Sequence, residues 1–291
     1  LHLNGKGGQG FSFLLALIYS QGLYMNFQLI ISGSSITNDY EWPTWYTWIK
    51  KRYKFSNDIN LSLKGLGNEA IILRAVHGAK KVDNPFILLQ LTSVDKWDWY
   101  VNDGNLVKII NKEKHKINIF DKTDQFGYWS TGSHFPLWKE HYKNNYFSIQ
   151  HQMLQTLLLI QWFQQLSDAQ GWKYLILFDS PLLSVTEEQL NKGTLTYEQC
   201  FDNNLTNNSL CQILFDKSMF TEIYTPGLIG FATVNGLPWY HHKFKGHPGS
   251  LVHLEFAKQI VDLELSQAFT PVVEFEEFET EATRFQGLLN D

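Results

Sequence analysis

Residues 27–37 read FQLIISGSSIT, and this stretch decides the fold. Residues 27–32 form a short apolar run, the pattern of a buried strand. Gly33-Ser34-Ser35 then supplies a small-residue turn. The stretch that follows, to about Tyr53, carries Trp42, Trp45, Trp48 and Ile49 at helical spacing. Pro43 fits an early turn of that helix better than its middle.

Outward from this unit, 59–63 reads as a second short strand. It leads into Lys64-Gly65-Leu66-Gly67-Asn68 and then a helix over 69–76. Asn84-Pro85 punctuates the entry to a third strand, 86–91 (FILLQL). Residues 150–165 are the clearest helix, apolar on most faces and so expected to be well buried, with Gly171 ending it. A fourth strand, 174–178 (YLILF), ends at Asp179, and 250–263 is a last amphipathic helix. The alternation predicts an α/β fold: a three-layer α/β/α sandwich with a mainly parallel sheet, covering 25–264.

Two insertions interrupt the pattern, at about 97–149 and 180–246. The first holds a hairpin signal, 106–110 with 116–120, and then an aromatic stretch with Trp129, His134, Phe135, Trp138, Tyr142 and Tyr146. Insertions of this kind usually lie at the carboxyl ends of the strands, where open α/β sheets bind ligands. Residues 265–291 read as an acidic tail with interleaved Phe, either mobile or used to dock a partner.

The chain has 291 residues, of which 44% are hydrophobic and 18% charged, a globular composition. A net charge of −5 gives no basis for nucleic-acid or membrane-surface binding, and the longest basic cluster is only Lys50-Lys51-Arg52. Aromatic residues reach 15%, with ten Trp, more than one core needs. The surplus suits stacking on sugar rings or lining apolar pockets, with Trp129, Trp138 and Trp239 the candidates, and a large aromatic core is the competing reading for any single Trp. Cys200 and Cys211 make neither a disulfide framework nor by themselves a zinc site; reduced thiols in a cytoplasmic protein are the expectation, with pairing of the two across ten intervening residues as the alternative, and no metal or cofactor is expected.

Residues 11–19 (FSFLLALIY) are too short a run to span a bilayer. With Lys6 ahead of them they have the look of a signal-peptide core but lack a cleavage site, and secretion stays open as an alternative. The first Met is Met25, and 1–24 is read as a leader or upstream segment outside the fold. Gly5-Lys6-Gly7-Gly8-Gln9-Gly10 lacks the spacing and the Lys-Ser/Thr ending of a phosphate-binding loop.

Three places carry chemistry. Ser35 stands between a strand and a helix start, where backbone N–H groups and the helix dipole stabilise negative charge; a plain helix-capping serine is the competing reading. Gly65-Leu66-Gly67-Asn68 follows the second strand, where a glycine lets a backbone N–H face a site without a side chain in the way, and a capped turn is the competing reading. His247-Pro248 precedes the last helix, a position from which an imidazole can act as base on a hydroxyl across the cleft. His253, inside that helix, reads as packing or hydrogen bonding there.

In this order the residues resemble the SGNH (GDSL-like) hydrolase superfamily, whose members are flavodoxin-like α/β/α sandwiches. Ile31-Ser32-Gly33-Ser34-Ser35-Ile36-Thr37 is similar to the family's first block, and 60–68 (NLSLKGLGN) to its second. Gly246-His247-Pro248-Gly249 through His253, Phe256 and Ala257 is similar to its last. The likeness spans about 27–264 with long gaps and is nearest to SGNH-like proteins of phages and large viruses.

It implies Ser35 as nucleophile, His247 as general base, and an oxyanion hole from the N–H groups of Ser35 and Gly65, helped by Asn68 or Thr92. The pattern departs from the family in three places. Ser34 stands where Asp is usual, Thr92 follows the third strand where Asn is usual, and Phe244 and Lys245 occupy the acid's positions. The implied activity is hydrolysis of a small acyl ester, such as an O-acetyl group on a glycan. The alternatives are an acyltransferase and a degraded domain that binds a glycan or partner without turnover.

Overall fold

The computed structural model describes residues 27–34, 37, 43–55, 57–62, 66–92, 98–101, 127–130, 149–179, 223–224, 227–237 and 248–287. The five-residue strand β1, Gln28–Ser32, lies between β2 (Ile59–Asn60) and β3 (Pro85–Leu91), parallel to both. A separate antiparallel pair, β4 (Asp98–Val101) with β5 (Gly127–Ser130), sets Trp99 opposite Trp129. The hairpin expected at 106–110 and 116–120 lies outside the described residues. Beyond β3 the main sheet continues with β6 (Lys173–Phe178) and β7 (Ile223–Tyr224), again parallel. The order is β2-β1-β3-β6-β7.

β3 is buried along all seven residues, which explains its continuous apolar run: both of its faces are covered. Helix α1 (Trp45–Tyr53) follows β1, α2 (Asn68–Ala79) follows β2, and α3 (Ile149–Gln170) precedes β6. On one face, α2 and α3 pack on Ile30, Ile87, Leu89, Leu91, Ile176 and Phe178. On the other, Leu29, Ile31, Phe86, Leu88, Leu175 and Leu177 meet α1, α4 (Gly227–Val234) and α5, which begins at Ser250–Phe256. The alternation of side chains along each strand thus divides the core into two layers. α5 continues through a π-helical turn, Ala257–Val261, into Asp262–Leu265.

Local chemistry explains the boundaries. Pro43 stands ahead of α1 rather than inside it: Thr44 is the N-cap, and its N–H donates to Thr47 Oγ1 at 3.0 Å. α3 ends in a reciprocal pair of bonds, Gly171 N–H to Asp168 O and Trp172 N–H to Ser167 O, the geometry of a Schellman motif. α3 is less covered than its apolar sequence suggests, with Leu158 and Trp162, one turn apart, 45% and 41% exposed.

Two segments that the sequence reading set apart belong to the sandwich. β7 and α4 come from within 180–246, with Leu228, Phe231 and Ala232 buried. In the acidic segment 265–291, the 3₁₀ turn Phe275–Phe278 and helix α6 (Glu279–Gly287) bury Phe275, Phe278 and Ala282 in the α1/α5 layer. Phe278 stacks on Trp48, ring centroids 5.7 Å apart. Glu274, Glu276, Glu277 and Glu279 of this segment are exposed, while Phe275 and Phe278 between them face inward. Residues 1–24, read as a leader, lie outside the described residues. No helix among the described residues is long and apolar enough to cross a membrane.

Candidate functional site

After β1 the chain crosses to β2 on one side and returns to β3 on the other. The carboxyl ends of β1 and β3 are therefore the switch point of the sheet, the place where open α/β sheets bind ligands. Four described residues with polar side chains converge there from four elements: Ser34 after β1, Asn68 at the start of α2, Thr92 after β3 and Asp179 after β6. All four are buried.

Thr92 is the centre of this cluster. Its N–H donates to Asn68 Oδ1 at 2.8 Å, and its carbonyl accepts from Asn68 Nδ2 at 3.0 Å. Asn68 Nδ2 also reaches Thr156 Oγ1 on α3 at 3.4 Å. The Thr92 hydroxyl donates to Asp179 Oδ2 at 2.8 Å, and the Ser34 hydroxyl approaches the same oxygen at 3.5 Å. Asp179 is held by its backbone as well: its N–H donates to Leu91 O at 2.8 Å, and its carbonyl accepts from Ile229 N at 3.1 Å. The latter bond brings the first turn of α4 against the end of β6. Gly227 permits this approach, since it has φ 65° and an added Cβ would stand 3.0 Å from Phe178 O.

The residues flanking position 35 in sequence are tied down. Thr37 N–H donates to Ser34 O at 3.2 Å, and the Thr37 hydroxyl donates to Gln90 Oε1. The same Gln90 oxygen accepts from Trp45 Nε1 at 2.8 Å, so one buried amide on the central strand joins the turn after β1 to the first residue of α1. Among the described residues, Gln90 Nε2 is buried without a hydrogen-bond partner. A Cβ at Gly33 would collide with Thr37 Oγ1, so the turn closes tightly only with glycine there. Ser32 Oγ donates to Ile71 O at 2.7 Å, fixing the end of β1 to α2.

Of the residues expected from sequence, Asn68 and Thr92 meet directly. Asn68 aims its amide hydrogens at Thr92 and Thr156, and Thr92 gives its hydroxyl proton to Asp179. In this arrangement both spend those donors within the protein, as struts for the end of β3. Ser35, Gly65, His247, Trp138 and Trp239 lie outside the described residues, as do Phe244 and Lys245. Trp129 is placed by its backbone on β5, and its side chain is outside the description. His253 is buried within α5.

The sequence reading missed Asp179 and Gln90 as site residues. The signals were there: Asp179 closes an apolar strand at its carboxyl edge, and Gln90 is the lone polar side chain in FILLQL. Among the described residues, no group of three or more His, Cys, Asp or Glu gathers to hold a metal. No protein-family model matches the chain, and a comparison with curated proteins finds no significant relative.

Proposed function

We propose that the chain is a serine hydrolase of the SGNH type that cleaves a small acyl ester. The observation that carries this reading is the convergence of Ser34, Asn68, Thr92 and Asp179 at the β1/β3 switch point. This is the place in an open parallel sheet where a ligand crevice forms, and the residues next to the family-like Ser35 and Gly65 blocks end there. The third block supports the reading by its place in the chain, since His247 stands three residues before Ser250, where α5 starts.

In this mechanism Ser35 Oγ attacks the ester carbonyl carbon while His247 takes the hydroxyl proton. The carbonyl π pair moves onto oxygen and is held by backbone N–H groups of Ser35 and Gly65. Collapse of the tetrahedral species breaks the bond to the alcohol oxygen, which leaves with the proton from His247. Water then attacks the acyl-enzyme by the same route in reverse and releases the acid. The O-acetyl glycan as substrate rests on Trp129, Trp138 and Trp239 and on the family likeness.

The test is kcat/KM on p-nitrophenyl acetate, with labelling by a fluorophosphonate probe. The parent turns over and labels, and Ser35→Ala and His247→Ala lower turnover by at least about 100-fold. Equal rates in all three, with no labelling of the parent, overturn the reading. A binding module is the second reading, favoured by Phe244 and Lys245 at the acid's positions, and that result would leave it standing.

A further inference from the structure

We propose that the outer face of α3 pairs with the same face of a second copy of this chain, antiparallel, as a weak homodimer. The inference is independent of the hydrolase reading. Four large hydrophobic side chains are exposed among the described residues, and two of them, Leu158 and Trp162, stand one turn apart on α3. The helix faces its own core with Leu157, Ile160 and Phe163. Its outer side shows exposed residues at 151, 155, 158, 162, 165 and 169, in alternating steps of four and three. That is the spacing of a two-stranded coiled-coil seam.

Composition marks this seam as a contact surface. The outer face of a surface helix ordinarily carries charge. Residues 149–167 contain no Asp, Glu, Lys or Arg, in a chain that is 18% charged. The seam reads His151, Gln155, Leu158, Trp162, Gln165 and Ala169. A charged partner finds no complement along it. A second copy, by contrast, approaches it without the repulsion that a net charge of −5 otherwise brings.

The order along the seam selects the antiparallel arrangement. About a two-fold axis near Ile160, the middle of the helix, Leu158 of each copy meets Trp162 of the other. Gln155 meets Gln165, two amides that each donate and accept, and His151 meets Ala169. Asp168, the first charge beyond the seam, then lies toward the His151 end of the other copy. A parallel pair would set Asp168 against Asp168, and it would align the helix dipoles instead of opposing them. The patch is thus self-complementary, as a two-fold dimer requires. Its area is modest. At 22 residues α3 is about 33 Å long, and one helix face falls short of the roughly 1,600 Å² of a standard interface. The dimer is therefore weak, with Kd on the order of 10–100 µM.

The test is sedimentation equilibrium of the full chain from about 5 to about 500 µM, with Tm measured at the lowest concentration. The parent shifts from monomer to dimer across that range. Leu158→Glu and Trp162→Glu each raise Kd by at least about 10-fold and, lying at exposed positions, leave Tm near the parent's. Gln155→Glu/Gln165→Lys brings opposite charges together only in the antiparallel register, and its dimer is as tight as the parent's or tighter. A looser dimer in this variant overturns the pairing, because a parallel seam sets like charges opposite each other. A parent dimer that both single glutamate variants leave intact is held by another surface and also overturns it. So does a parent that stays monomeric at the highest concentration. The rate at which a maleimide labels Leu158→Cys then separates a face open to a different partner from one covered by another part of the chain.

Discussion

At Asn68 a side-chain amide stands in for a neighbouring strand. β3 leaves the ladder after Leu91, and Asn68 meets both the N–H and the C=O of Thr92. Asn68→Ala strips that pair of acceptor and donor at once. The expected loss is about 2–3 kcal/mol, read as a lowered midpoint in urea denaturation with an unchanged m-value. A loss below about 0.5 kcal/mol would mean that water or another side chain takes over. Gln90 works at the same scale: its single oxygen serves Trp45 and Thr37, and so sets how α1 leaves the turn that bears the candidate nucleophile.

Among elements, the end of α1 is clamped to α5 and to the segment beyond it. Arg52 Nε donates to Asp262 Oδ1 at 2.7 Å, and its Nη1 donates to Val273 O at 2.9 Å and to Glu274 Oε2 at 3.1 Å. Tyr53 OH donates to the same Asp262 oxygen. Burial, and after it the Asp262 carboxylate, pushes the Tyr53 phenol well above its ordinary value. The neutral phenol is therefore the form the fold prefers. Its stabilising effect is complete below the unfolded-state pKa of about 10 and is lost as pH rises through the higher folded value. Between about pH 10 and 11.5 the parent should lose stability more steeply than Tyr53→Phe, by up to about 1.4 kcal/mol per pH unit. Parallel slopes for the two proteins would show that the phenol titrates alike in both states.

For the whole molecule, the two core layers differ in how the chain builds them. The α2/α3 layer comes from residues between Ile30 and Phe178, whereas the opposite layer closes only when α4, α5 and the C-terminal segment arrive. Phe269 packs against Phe27, Phe55 and Phe86, and Phe278 covers Trp48. Ending the chain after Leu265 should therefore uncover Trp48 and Phe86, with loss of cooperative thermal unfolding and gain of binding to a hydrophobic dye. A truncated protein that melts cooperatively within a few degrees of the parent would show this segment to be dispensable.

The sequence by itself determined the alternating strands and helices, because strand burial and helix amphipathicity are written in short-range patterns: FQLIIS, FILLQL and YLILF read as strands on sight. It also located Asn68 and Thr92 as polar residues at the carboxyl edge. It did not reveal what they do, since their hydrogen bonds join positions 24 and 87 residues apart. β7 is two residues long and too short to carry a pattern, so only its pairing with β6 identifies it. The acidic segment reads as a tail because its carboxylates cluster between Glu274 and Glu281, although Phe275 and Phe278 among them turn inward. The tertiary structure alone decided that Asp179 shares a site with Ser34, because parallel strand order brings together chain ends that lie 145 residues apart.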